Sequence, residues 1–159
     1  MAQATVTTGI DYDSFSIRAA TLRLQKSGKN DLWSIDSLNE IRGNFLKDED
    51  LVEGLRNIKN KAGSSGRITT CVEGKQTYTA QLNFRKMADA DMKNALKFEI
   101  KKDVPFDITG ATIDYQFLPF NDKNSATVPL MVTAVSNILL TRHLRLFEKA
   151  GLRPLTVDV

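Results

Sequence analysis

One cysteine, one histidine and one tryptophan in 159 residues leave little of what metal centres, nucleophilic enzymes and disulfide scaffolds are built from. The single thiol, Cys71, excludes an internal disulfide framework and suits a reducing compartment. In an apolar strand pattern it reads as a small buried hydrophobe rather than a nucleophile. His143 has no Cys/His/Asp cluster beside it, which excludes a zinc site and leaves a packed or edge residue. No apolar run approaches the roughly 20 residues that a membrane helix needs. The opening "MAQATVTTGIDYD" lacks the charged and apolar regions of a signal peptide. The net charge of +3 comes without a long basic run, so there is no nucleic-acid footprint. What remains is a hydrophobic share of 42% and a charged share of 26%, the ordinary balance of a globular, cytoplasmic chain. Its length allows one substantial core or two small ones.

Residues 5–12 alternate, with Val6, Thr8, Ile10 and Tyr12 on one face, and predict a strand. "DSFS" (13–16) turns the chain and "IRAATLRLQ" (17–25) returns it, with Leu22 and Leu24 on one face. "SGKN" (27–30) predicts a hairpin loop before a third strand over 32–41. In "KDEDLVEGLRNIKNKAG", Leu51, Val52, Leu55 and Ile58 lie at helical spacing, with acids first, lysines last and Gly63 as the stop. "RITTCVEG" (67–74) follows as a strand, and "VEGK" (72–75) reads as a bend without phosphate-loop spacing.

The second half reads strand (75–84), amphipathic helix (88–103), strand (112–120) and strand (128–135), with "NDKNSAT" as a polar loop. The helix starts near Asp89 or Asp91 and carries Met92, Ala95, Leu96 and Ile100 as its buried stripe. Glu99, Lys101, Lys102 and Asp103 form a solvated end, and Pro105 prevents continuation. A last helix, 137–152, is expected to be capped by Asn137, to turn Leu140, Leu144 and Phe147 inward, and to stop at Gly151. "LRPLTVDV" then reads as a strand with no polar tail, which suggests a piece of a longer protein.

Three stretches now point one way. "GIDYDSFSIRAATL" resembles the opening strand–turn–strand of actin-like ATPases, in the variant of the type IV pilus assembly protein PilM family. "MADADMKNALKFEIKKDVPFDITGATIDYQFLPF" resembles that family's helix, Val-Pro-Phe turn and Asp-Tyr-Gln strand. "LLTRHLRLFEKAGLRPLTVDV" is similar to the helix and strand that close its inserted subdomain. The resemblance implies an α/β fold: a partial actin-like (ribonuclease H-like) subdomain, 1A, at 1–74, with a strand–helix–strand–strand insert, 1C, at 75–152. The chain would re-enter 1A over 153–159.

In the family, the first turn reads Gly-hydrophobic-Asp-hydrophobic-Gly, followed by small hydroxyl residues and a Lys. The second glycine lets backbone amides approach phosphate oxygens. The matching nucleotide-binding candidates here are Gly9, Asp11, Asp13, Ser14 and Ser16, with Phe15 among the hydroxyl positions and Arg18 in place of the Lys. Asp11 fits the acid that holds a Mg²⁺ water shell, but Asp13 stands where the glycine belongs. A carboxylate at phosphate-contact distance, about 4 Å, costs roughly 1 kcal/mol in water and about 4 at an effective dielectric near 20. ATP and Mg²⁺ are therefore possible cofactors of the family and disfavoured here; no cofactor or metal is expected of this chain. Asp11 and Asp13 with Glu40 and Glu73 also match a metal nuclease by fold analogy alone, and Glu40 and Glu73 are poorly spaced for it.

The resemblance implies a scaffold in a pilus or related secretion assembly complex, reaching the inner membrane only through a partner. That partner is the cytoplasmic tail of a PilN-like membrane protein, ordering in an apolar groove between subdomains. Leu82, Phe84, Phe98, Val104 and Phe106 are the candidate groove residues, and aromatic groups make effective anchors. Tyr115 and Phe117, two apart, read as core. Two alternatives stand beside this: an actin-like ATPase lacking its second lobe, and a filament-forming or otherwise homo-oligomeric module.

Overall fold

The computed structural model describes residues 5–27, 30–63, 66–120 and 125–159, and the hairpin tip expected at 28–29 and the loop residues 121–124 lie outside them. The chain divides into two compact units. One comprises the chain up to Cys71 together with Arg142–Asp158, and the other comprises Val72–Thr141, with Val159 assigned to it.

The first unit opens as a meander of β1 (Thr5–Tyr12), β2 (Ser16–Ser27) and β3 (Asn30–Arg42), each antiparallel to the one before. Helix α1 (Asp48–Ala62) follows, then β4 (Arg67–Cys71), parallel to β1. The last strand, β8 (Thr156–Asp158), pairs parallel with β4 and completes a sheet in the order β3-β2-β1-β4-β8. Period-two alternation sends Ile10, Ile17, Ala19 and Ile68 to one side, where they meet Leu51, Leu55 and Ile58 of α1. Each such large side chain, fully buried, contributes about 1.5–3 kcal/mol. Acids occupy the first turn of α1 and lysines its last, and Gly63 ends it at φ 57°, a conformation that costs an L side chain dearly. Inside that helix, Gly54 lets the chain pack close under Ile17 and Phe45: a Cβ there would crowd the tips of both side chains.

The second unit contains β5 (Thr77–Arg85), α2 (Asp89–Glu99), β6 (Ala111–Phe117) and β7 (Thr127–Ser136), in a three-stranded antiparallel sheet ordered β5-β7-β6. Met92 and Leu96 of α2, with Ile100 beyond it, cover Ile113, Leu130, Val132 and Ala134. The opposite face of that sheet is polar at Thr79, Gln81 and Asn83 of β5 and Thr112, Asp114 and Gln116 of β6. α2 is shorter than its sequence pattern predicts because Ile100–Lys102 tighten into a 3-10 turn ahead of Pro105.

Helix α3 (Asn137–Lys149) departs from expectation in two respects. The division into compact units falls at Cys71 and, inside this helix, between Thr141 and Arg142. The cause is its inward stripe, His143, Leu146 and Phe147, continued by Ala150 and Leu152 past its end; the apolar four belong to the core of the first unit, and His143 is buried beside them as a polar member. Leu144, expected inward, is 38% exposed. Asn137 is the first helical residue, and its side chain accepts from Thr112 Oγ1 at 2.8 Å instead of capping.

Candidate functional site

The turn between β1 and β2 is closed by its own carboxylate. Asp13 Oδ1 accepts from the backbone amides of Phe15 and Ser16 at 2.7 and 2.8 Å, and Asp13 Oδ2 accepts from Ser16 Oγ at 3.0 Å and from the Arg18 guanidinium. These hydrogen bonds, the Phe15 amide first, hold the Asp13 carboxyl below the usual range. Two of the turn's carbonyls are tied down as well: those of Ser14 and Phe15 accept from the amides of Phe45 and Gly43, both at 2.9 Å.

Beside the turn, the face of the sheet away from α1 forms a shallow dish of about 610 Å³. Gly9 and Ala20 give it a low floor, Leu38 an apolar wall, and Asp11, Arg18, Glu40 and Asp158 a charged rim. A Cβ on Gly9 would meet nothing within 4 Å, so this glycine sets the depth of the dish rather than relieving a clash. Asp11 lies 3.7 Å from the Arg18 guanidinium and accepts from Cys71 Sγ at 3.3 Å. The same face continues along β2 and β3 with Leu22, Leu24, Trp33 and Ile35, which the register places side by side.

Tyr12, one residue before Asp13, points the other way. Its hydroxyl is 3.0 Å from His143 Nδ1, while His143 Nε2 is 3.2 Å from Thr70 Oγ1. The neutral ring donates from one nitrogen and accepts at the other, and both hydroxyls can take either part. The imidazole stacks on Tyr12 at 5.5 Å and tilts against Phe147 at 4.8 Å. Burial, aided by the Arg142 charge, lowers the His143 pKa to about 4. Burial likewise raises the Tyr12 phenol above its ordinary value.

Of the turn candidates, Asp11, Asp13 and Ser16 converge on Arg18 or on one another, Ser14 contributes its carbonyl, and Gly9 lies two residues back in the dish floor. ATP and Mg²⁺ do not fit this arrangement. The Phe15 and Ser16 amides that would approach a phosphate already hold the Asp13 carboxylate, and Arg18 neutralises that same carboxylate. No step through a nucleotide follows from it.

The candidate groove residues separate into two sets. Val104 is buried and Leu82, Phe84 and Phe106 are partly buried, all four within the second unit's core cluster. Phe98 stands apart on the outer side of α2, 79% exposed. Tyr115 joins the core, while Phe117, edge-on to it at 5.5 Å, is half exposed. Sequence reading missed the Tyr12–His143–Thr70 chain, whose members lie on three elements far apart in sequence and carry no local signal. It also missed Trp33, Ile35 and Leu38 as one apolar face; their 2-then-3 spacing is the trace of a β-bulge.

A mixed α/β unit whose meander, helix and parallel strands give the order β3-β2-β1-β4-β8, with a second small unit interposed, is a partial actin-like domain. The model of the family "Type IV pilus assembly protein PilM" matches residues 9–159, and the chain belongs to that family. Among solved structures, it is similar to a chain of the PilM–PilN type IV pilus biogenesis complex, with a TM-score of 0.78 at 18% identity over 96% of this chain and 47% of that one. It is also similar to the cytoplasmic domain of EpsL, an inner membrane component of the type II secretion system of Vibrio cholerae. There the TM-score is 0.59 at 12% identity, covering 98% of this chain and 57% of that one. The chain thus spans about half the length of the structures it matches. A comparison with curated proteins found no match. Among the described residues, no helix is long and apolar enough to cross a membrane.

Proposed function

We propose that this chain is the docking half of a type IV pilus assembly scaffold, which binds the cytoplasmic tail of a PilN-like inner-membrane protein and is held at the membrane by it. The observation that carries the reading is membership of the PilM family together with a fold shared with a chain of the PilM–PilN complex. The self-closed Asp13 turn supports docking over nucleotide chemistry, because its amides and its cation are already engaged. A flexible tail that orders on a preformed surface loses conformational entropy, and apolar burial offsets that loss. Phe98 is the candidate anchor best placed for that contact, since a large exposed aromatic ring gains the most on being covered.

The test is a titration of the chain with a synthetic peptide of the partner's cytoplasmic tail. The expected dissociation constant is about 1 µM or tighter. Phe98→Asp should weaken binding at least about tenfold, with the far-UV circular dichroism unchanged, because hot-spot aromatics carry most of an interface's energy. Phe106 is unsuitable for this purpose, since a charge there would enter the core cluster. No binding by the unmodified chain would sink the docking reading; unchanged affinity in Phe98→Asp would remove Phe98 from it.

A further inference from the structure

The edge of the five-stranded sheet has the features of an interface. β3 is thirteen residues long, is an outer strand of its sheet, and leaves Trp33, Ile35 and Leu38 at 54, 64 and 71% exposure. Edge strands are ordinarily blunted by lysine, proline, shortness or an inward charge, because their free backbone groups template further pairing. β3 has no lysine and no proline, and Arg42 is its one basic residue.

Its sequence is self-complementary when read against itself in reverse. A two-fold axis between Asp36 and Ser37 sets Asp31 opposite Arg42, Leu32 opposite Ile41, Trp33 opposite Glu40, Ser34 opposite Asn39 and Ile35 opposite Leu38. The faces agree as well. Pairing with β2 places Trp33, Ile35, Leu38 and Glu40 beside Leu24, Leu22, Ala20 and Arg18 on the open face, while Ile41 lies beside Ile17 toward the core. Every pair in this register therefore joins residues of one face, as an antiparallel ladder requires. The β-bulge does not spoil the match. Ile35 pairs with Leu22 and Ser37 with Thr21, so Asp36 is the extra residue, and its carboxylate is taken up by Arg23 at 2.8 Å. Because the bulge sits on the axis, the copy carries the same extra residue at the same place, and the registers on either side remain matched.

We propose that a second copy of this chain pairs with the first through β3, antiparallel and in this register. The arrangement is isologous, so each contact occurs twice. Asp31 meets Arg42 of the other copy at both ends, and Ile35 and Leu38 of both copies form one apolar cluster on the open face. Trp33 lies diagonal to Leu38 and Arg42 of the other copy, within reach of an aromatic ring. Among the described residues Arg42 is engaged by an exposed contact from its Nε to Glu40, at 2.9 Å, and its terminal nitrogens are available to bridge.

The experiment is sedimentation equilibrium of the chain, where a dimer is expected at about 50 µM protomer. Asp31→Arg sets two arginines opposite each other at both ends, and Arg42→Asp does the same with aspartates. Each variant alone should raise the dissociation constant about tenfold, as like charges directly opposite destabilise a ladder. Mixed in equal amounts they should dimerise again, because the two arginines of one variant then face the two aspartates of the other. Ile35→Lys should yield monomers. All three positions are on the exposed edge strand, and circular dichroism checks that each variant folds. A monomer at that concentration, or a dimer indifferent to all three substitutions and to mixing, would overturn the proposal; the first outcome would leave the edge to a strand of a different protein.

Discussion

Tyr12 and Asp13 are neighbours in the chain and belong to opposite kinds of polar network. Tyr12 enters the core and, through His143 and Thr70, ties β1 to α3 and β4. Asp13 folds back on its own turn and is served by amides, a hydroxyl and a guanidinium at the surface. Both networks satisfy every group they engage, so hydrogen-bond counts do not distinguish them. The difference is the surroundings. A charge arising on His143, which is 1% exposed, is removed from solvent, whereas the second is built around a charge that solvent and Arg18 already stabilise.

The sharpest way to separate the two networks is acid. His143 is neutral in the folded protein with a pKa of about 4, against 6.5 when unfolded. Between those values the unfolded chain binds the proton and the folded one does not, so stability rises with pH across that window. It is fully present above 6.5 and lost as the pH falls to 4, by about 3 kcal/mol if the whole shift is expressed. Urea melts of the chain between pH 4 and 7 should show that slope, and His143→Gln should flatten it. A slope that persists in His143→Gln would place the titrating group elsewhere. Asp13 cannot produce this window, because its carboxyl is depressed below 3.8 and loses its contribution only under more acid conditions.

Next in size is the removal of one hydroxyl from the buried chain. Tyr12→Phe keeps the ring that stacks on His143 and leaves Nδ1 without a partner, at a cost of about 1–3 kcal/mol for an unsatisfied buried group. Thr70→Val does the same at Nε2 with almost no change of volume. The two losses should not add, since either breaks the same chain of hydrogen bonds. Thermal melts of the single and double variants check this. Strict additivity would mean that the two hydrogen bonds act independently and that the ring transmits nothing from one hydroxyl to the other.

How much of this was legible beforehand follows the same division. Local pattern was readable wherever burial obeys a short period: Ile10 and Thr8 on β1, Leu51, Leu55 and Ile58 on α1, and Met92, Leu96 and Ile100 around α2 all lie where spacing puts them. The Asp13 turn was readable as a departure from the family pattern because its partners lie within five residues. The Tyr12–His143–Thr70 chain was not, because contacts 131 and 73 residues apart leave no mark on spacing. The α3 stripe was misread for a related reason. Hydropathy alone puts Leu144 in the core and leaves His143 either packed or at an edge; the histidine, with two hydroxyl partners, takes the packed alternative, while the leucine on the wrong face stays exposed. Among the groove candidates, hydropathy gathered Phe98 with Val104 and Phe106, although the helix turns Phe98 outward.

The smallest expected effect is also the most direct test of the surface network. Asp13→Gly removes the carboxylate that holds the Phe15 and Ser16 amides and releases Arg18, all at an exposed turn where water replaces what is lost. Stability should fall slightly, and the fall should vanish as the pH drops low enough to protonate Asp13 in the original chain. The informative readout is ligand binding. With the side chain gone, two amides and a guanidinium converge on one empty position, and phosphate should bind there where the original chain takes none. Isothermal titration with inorganic phosphate and with Mg-ATP distinguishes the outcomes. Saturable binding by Asp13→Gly alone would mean that the carboxylate keeps an otherwise competent anion seat closed. Saturable Mg-ATP binding by the original chain would mean that Asp13 leaves its turn when a nucleotide arrives, and the contrast between a rigid buried network and a satisfied surface one would fail at that residue.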